Sequence, residues 1–293
     1  MTNAILGTGV ALVTPFHSNR GIDVEALHRV VNHVIEGSVE YVVALGTTGE
    51  SVTLSKEEKN QVVQEVIKTV NWRIPVVVGI GGNDTFNVLE TIRDTDFSGI
   101  SGILSVAPYY NKPTQQGLFE HFSEIAKASP VPVILYNVPS RTSSNINAET
   151  IIRLASTHKN ILAVKEASGN FNQIMQIIKN KPGHFHVISG DDSLTLPMVH
   201  LGSSGVISVI ANSHPKHFSD MVRAALKHEY RKANELHYKM LDFMGALFEE
   251  GSPAGIKAAL EVMGLCGKTV RLPLVSVSDS LQKKLKTMIA EIG

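Results

Sequence analysis

Eight short β-branched runs alternate with eight longer amphipathic stretches along this chain, and that alternation limits the possible folds more than any other feature of the sequence. The expected strands are Gly9 to Thr14, Tyr41 to Leu45, Pro75 to Ile80, Gly102 to Val106, Val131 to Asn137, Ile161 to Glu166, His186 to Ser189 and Gly205 to Ile210. Most are continuously apolar, as in Val76-Val77-Val78 and Val133-Ile134-Leu135, which marks strands covered on both faces, hence a parallel sheet. Helix starts lie between them. Ser55 with Glu58 has the capping-box spacing, Thr114 precedes Gln115-Gln116-Gly117, and Asn147 precedes Ala148-Glu149-Thr150. The units recur at about 28 residues, the length one βα unit needs. An α/β (β/α)8 TIM barrel is therefore expected over residues 1–225. Residues 226–293 read as a C-terminal extension of three helices, Glu229 to Phe248, Pro253 to Met263 and Ser278 to the end, with no chemistry of its own. A doubly wound open sheet is the competing fold, but it places a glycine fingerprint after its first strand, where this chain has Val13-Thr14-Pro15-Phe16. Gly79-Ile80-Gly81-Gly82 lacks the dinucleotide-loop spacing and reads as a tight βα turn.

Charge removes several classes of function. Lys plus Arg number 27 and Asp plus Glu number 27, so no basic excess is available for nucleic acid or for an anionic membrane surface. With 43% hydrophobic and 18% charged residues the chain can bury a large core. No apolar run approaches the roughly 18 residues of a membrane span. The single cysteine, Cys266, has no intramolecular partner, and no leader pattern precedes Thr8, so a reducing cytoplasm is the expected location. Cys266 has no nearby activating group in sequence and is assigned to packing, and the sequon at Asn83 is a chance match.

In a barrel of this kind, chemistry sits at the C-terminal strand ends. Strand two ends in Gly46-Thr47-Thr48-Gly49-Glu50-Ser51, where small residues, hydroxyls and backbone amides can approach an anion. Strand four is followed by Tyr109-Tyr110, and strand five ends in Tyr136-Asn137-Val138-Pro139-Ser140-Arg141. Lys165, inside the apolar run Ile161-Leu162-Ala163-Val164-Lys165, is the most telling residue, because a lysine is rarely buried without a partner. Burial favours the uncharged amine, and only that form attacks a carbonyl to make a Schiff base. The plainer reading is a rim lysine reaching solvent with Glu166 alongside. Asp191 and Asp192 are adjacent, so their side chains diverge, and no His or Cys completes a metal site. His184 and His186 share a face but lie at the start of strand seven, away from the site. No phosphate-binding glycine pair follows strand eight, which argues against phosphorylated substrates and flavins.

Taken together, Gly46-Thr47-Thr48-Gly49-Glu50-Ser51, Tyr109-Tyr110, Tyr136-Asn137-Val138-Pro139-Ser140-Arg141-Thr142, Val164-Lys165-Glu166-Ala167 and Ser189-Gly190-Asp191-Asp192 resemble the motifs of the dihydrodipicolinate synthase family, in order and spacing over nearly the whole chain. The wider group of pyruvate-dependent class I aldolases, N-acetylneuraminate lyase among them, shares part of this set. The resemblance implies condensation of pyruvate with L-aspartate 4-semialdehyde to 4-hydroxy-tetrahydrodipicolinate, a step of lysine (diaminopimelate) biosynthesis, with no metal and no cofactor beyond a covalent Schiff base. It implies Lys165 as the Schiff-base amine, Tyr136 as acid/base, Thr48 and Tyr110 as a proton relay, Thr47 and Thr48 on the pyruvate carboxylate, and Arg141 on the aldehyde's carboxylate. Gly190 and Ile207 match positions whose backbone lies beside the lysine. The Tyr110 position is usually supplied by a neighbouring subunit, which implies a tight dimer, commonly within a dimer of dimers, a homotetramer. Members inhibited by lysine carry an acid and histidines where this chain has Asn87, Lys56 and Lys59, so weak or absent feedback by L-lysine is expected. The alternatives are a keto-sugar-acid lyase on the same scaffold and a catalytically silent barrel that binds a keto acid.

Overall fold

Parallel strands pair in sequence order, and the eighth returns to the first, closing the barrel. The structure, a computed structural model, describes residues 5–293. The strands are β1 (Gly7–Ala11), β2 (Tyr41–Ala44), β3 (Val76–Gly79), β4 (Gly102–Val106), β5 (Val133–Asn137), β6 (Ile161–Glu166), β7 (His186–Ser189) and β8 (Gly205–Ser208). Between them run α1 (Val24–Glu36), α2 (Lys56–Val70), α3 (Thr85–Asp94), α4 (Gln115–Ala128), the single turn α5 (Pro139–Thr142), α6 (Ala148–Thr157), α7 (Phe171–Asn180) and α8 (Thr195–His200). After β8 come α9 (Pro215–Leu226), α10 (Tyr230–Ala246), α11 (Ala254–Val262) and α12 (Asp279–Ile292).

The unbroken apolar runs have a simple cause: both faces of each strand are buried, in two different environments. Val10, Val42, Val76, Val78, Ile103 and Val133 face outward under the helices. Ala11, Val43, Val77, Leu104, Ile134 and Ile188 fill the lumen. Tyr41 also lies in the lumen, fully buried, and its hydroxyl donates to the Val206 carbonyl at 3.3 Å.

Strand boundaries shift where backbone partners change. Strand one begins at Gly7 and ends at Ala11, three residues short of Thr14, because the Val13 amide donates to the Asn212 side chain at 3.2 Å and not to a neighbouring strand. Strand eight stops at Ser208, and Ile210 opens a 3-10 turn, Ile210–Asn212. The glycine run that begins at the last residue of β3 allows close packing: a Cβ at Gly79 would lie 2.2 Å from the Leu45 carbonyl oxygen. Ser55 and Glu58 form the capping box, and Thr114 Oγ1 accepts from the Gly117 amide at 3.2 Å. Asn147 precedes its helix but does not cap it with its side chain, whose Oδ1 accepts from Asn145 Nδ2 at 3.0 Å.

The C-terminal helices share the outer core. Met240, Phe243, Leu247, Ile256, Leu260, Leu281 and Leu285 are buried in the same apolar cluster as the outward strand residues. Each large side chain so buried contributes about 1.5–3 kcal/mol. Among the described residues no helix is long and apolar enough to cross a membrane.

Candidate active site

Strand alternation decides which way Lys165 points. In register it lies between Tyr136 of β5 and Ile188 of β7, on the lumen face. Glu166, one residue on, points outward, where Oε2 accepts from Asn137 Nδ2 at 3.0 Å and from Gln173 Nε2 at 3.2 Å, and Oε1 accepts from the Ser168 amide at 2.7 Å. The rim-lysine arrangement is therefore not what the chain builds: Lys165 is 5% exposed, and Glu166 is engaged on the opposite face. Lys165 Nζ stands 4.4 Å from the centre of the Tyr136 ring. Gly190 leaves room for it, since a Cβ there would come within 3.2 Å of Lys165 Cγ and Cε. Ile207 is buried in the same lumen cluster as Tyr136 and Ile188.

The threonine loop is two 3-10 turns, Thr47–Gly49 and Ser51–Thr53, hinged at Glu50, whose φ of 52° lies in the left-handed region. Thr14 Oγ1 donates to the Gly49 carbonyl at 2.7 Å, which fastens the first turn to the segment after β1. Thr48 is buried and Thr47 exposed. A cavity of about 300 Å³ is lined by Thr47, Val52, Tyr109, Tyr136, Val138 and Arg141, among others. That is a volume suited to small molecules. Arg141 reaches it from α5, a helical turn begun by Pro139 directly after β5. Lys165 does not line this cavity, but its Nζ faces the Tyr136 ring, which does.

Thr48, Lys165, Gly190, Ile207 and Tyr110 do not line this cavity, and Tyr110 is the one of them that is exposed. It is 90% exposed, has a φ of 72°, and is absent from the cavity wall, where Tyr109 stands instead. Asn83 steadies the loop, with Nδ2 donating to the Tyr109 carbonyl at 3.2 Å and its own carbonyl accepting from Asn111 Nδ2 at 2.8 Å.

The adjacent aspartates do diverge. Asp191 accepts from the Ser193 and Leu194 amides, while Asp192 accepts from the Ile210 amide at 2.8 Å and the Val209 amide at 3.0 Å. Burial pushes the Asp192 carboxyl up to about 6, against the pull of those amides. Among the described residues no three His, Cys, Asp or Glu side chains are grouped to hold a metal ion. His186 Nδ1 pairs with Ser204 Oγ at 2.9 Å, a packing role. Burial pushes the Cys266 thiol up to about 12, the state of an unreactive core cysteine. Of the two lysines expected to add charge near Asn87, Lys56 does not act as a free cation, because its Nζ donates to Asp94 Oδ2 at 2.7 Å.

Sequence reading missed a second buried lysine. Lys257 of α11 is fully buried and pairs with Glu50, in the helical extension that looked chemically silent. The signal was available in Gly255-Ile256-Lys257-Ala258-Ala259-Leu260, an apolar run broken by one cation, as around Lys165.

Comparison with known proteins finds relatives over nearly the whole length of the chain. The 4-hydroxy-tetrahydrodipicolinate synthase of Flavobacterium psychrophilum is 53% identical over 290 residues, covering 99% of each chain. A dihydrodipicolinate synthase from Acinetobacter baumannii, solved in complex with pyruvate, superposes with a TM-score of 0.95 at 38% identity, over 98% of this chain and 99% of that one. One from Cyanidioschyzon merolae, solved with lysine bound, gives 0.94 at 36% identity over 98% and 97%. With a match of the family profile across residues 4–292, the chain belongs to the Dihydrodipicolinate synthetase family.

Proposed function

We propose that the protein is a class I aldolase-type lyase that condenses pyruvate with L-aspartate 4-semialdehyde. The observation that carries this reading is Lys165, buried on the lumen wall over the Tyr136 ring. An amine held there attacks the keto carbon of pyruvate, and loss of water gives an iminium. Its positive nitrogen acidifies the methyl group, and loss of a methyl proton leaves an enamine. The enamine carbon attacks the aldehyde of the second substrate, and the new alkoxide takes up a proton. The amino group of that substrate then adds to the imine carbon, expels Lys165 and closes the ring of 4-hydroxy-tetrahydrodipicolinate. The iminium is the electron sink, so the chemistry calls for no external cofactor.

Tyr136 is assigned the proton transfers and Thr48 the hydrogen bond that connects it outward, completed by Tyr110 of a neighbouring copy. Thr47 and Thr48 take the pyruvate carboxylate, beside the backbone of Gly190 and Ile207. Arg141 takes the aldehyde's carboxylate with its planar fork. The exposure of Tyr110 supports assembly at least to a dimer, and a dimer of dimers is the assembly proposed. Residues 1–225 are assigned the catalytic barrel and 226–293 the helical extension, and the lone buried Cys266 fits a reducing cytoplasm. L-lysine is a weak effector in this reading, since Asn87 is amidic and its Nδ2 donates to Asp84; a submillimolar inhibition constant in a steady-state assay contradicts it.

Borohydride reduction in the presence of pyruvate, followed by peptide mass mapping, tests the central step. The expected adduct is on Lys165, and its absence overturns the proposal. Comparing turnover of the semialdehyde with release of pyruvate from N-acetylneuraminate separates the synthase from a sugar-acid lyase.

A further inference from the structure

We infer that Lys257 is a positioning residue for the keto-acid site, which it serves by holding Glu50, and through Glu50 the turn that carries Thr47 and Thr48. The inference rests on the reading of that turn as the pyruvate-carboxylate site.

Glu50 is the hinge between the two 3-10 turns, and its left-handed backbone is an uncommon state for a residue with a long side chain. Such a conformation persists where surrounding contacts over-determine it. Here both carboxylate oxygens are held from the C-terminal extension. Lys257 Nζ donates to Oε1 at 2.5 Å, and the Arg271 amide donates to Oε2 at 2.9 Å. Lys257 is fixed in turn by the Thr269 carbonyl at 2.9 Å and by the face of Phe16, 4.1 Å from Nζ. The Glu50 amide donates to the Thr47 carbonyl at 3.1 Å, so a displacement of Glu50 is passed to the threonines. Arg271 secures the far end of the same loop, donating to the Thr53 carbonyl at 2.8 Å and gripping both oxygens of Glu58 at 2.6 and 2.7 Å.

The side chains of this pair are 0% and 1% exposed. A buried ion pair is a poor source of stability, because an apolar pair of similar volume often does as well. What it does supply is direction: one amine, one carboxylate oxygen and one backbone geometry. The helical extension thus reaches the threonine loop through the Lys257–Glu50 salt bridge, with Arg271 holding Glu50 and the far end of the loop beside it.

Lys257→Met alone strands a buried carboxylate and can fail to fold, so the decisive variant is the Lys257→Met/Glu50→Gln pair, which removes both charges. Wild type, the pair and Leu285→Ala are compared in one steady-state assay with pyruvate and L-aspartate 4-semialdehyde. Leu285→Ala opens a cavity in α12, a helix that carries none of the clamp residues. We expect the KM for pyruvate to rise about tenfold or more in the pair, the scale of loss that a small misplacement of binding groups produces. The KM for the semialdehyde, held by Arg141 on another loop, is expected to stay within about twofold. Leu285→Ala is expected to lower thermal stability and leave both KM values unchanged. A folded pair with the wild-type KM for pyruvate overturns the inference, as does an equal rise in both KM values. A wild-type protein that turns over neither substrate sinks the functional reading itself, and the inference with it.

Discussion

At the scale of single residues, burial alone does not distinguish the two interior lysines, and their partners do. Lys257 spends its charge on Glu50, whereas among the described residues Lys165 forms no ion pair and lies over an aromatic ring. The same elementary rule, that an unpaired cation in an apolar setting is costly, supports the proposed roles of Lys257 as a positioning residue and Lys165 as the Schiff-base amine. Tyr136, whose ring faces that amine, is the proposed acid/base. Replacing it by Phe keeps the ring under Lys165 and removes only the O–H. Lost acid/base transfer is worth about 10²–10⁴ in rate. Tyr136→Phe is accordingly expected to lower kcat by about 10²–10³ with an unchanged melting temperature. A variant within threefold of wild-type kcat would falsify the assignment of Tyr136 as the acid/base.

At the scale of elements, the loops after β7 and β8 are held by a buried carboxylate, and α9 starts at a buried histidine. These respond oppositely to pH. Burial lowers His121 and His214 to about 4, so the folded state holds them neutral. Their contribution is fully present above the unfolded value of about 6.5 and is lost as pH falls toward 4. Asp192, pushed up to about 6, works the other way. Its folded form holds a proton more tightly than the unfolded chain, so its contribution declines as pH rises from about 4 to about 6. Asp192→Asn is therefore expected to gain melting temperature relative to wild type as pH rises through that window. Parallel curves of melting temperature against pH for the two proteins would rule out a raised Asp192.

For the molecule as a whole, the helical extension is continuous with the barrel's outer core, and it also touches the threonine loop through Lys257 and Arg271. The cavity wall contains Tyr109 but not Tyr110, which stands in solvent. On the proposed relay, an isolated copy is short of one hydroxyl. Activity is expected to fall on dilution in step with dissociation measured by sedimentation velocity, and Tyr110→Phe is expected to lower kcat at all concentrations. A protein that remains fully active as a monomer contradicts the shared site.

Eight apolar runs at one spacing were enough to determine a closed parallel barrel, because a strand buried on both faces writes its environment directly into its residues. The burial of Lys165 was legible for the same reason: a cation inside such a run is a local anomaly. Boundaries were less legible, since Val13 leaves the sheet for the side chain of Asn212, a partner 199 residues away that no local pattern reveals. The clamp on the threonine loop was hidden by the same distance. Glu50 and Lys257 are 207 positions apart, and only the packing of the C-terminal helices against the barrel mouth brings them to one point. Local sequence determines which faces must be buried; which charged groups meet inside is decided by tertiary packing, because an ion pair depends on distance in space and leaves no periodic mark along the chain.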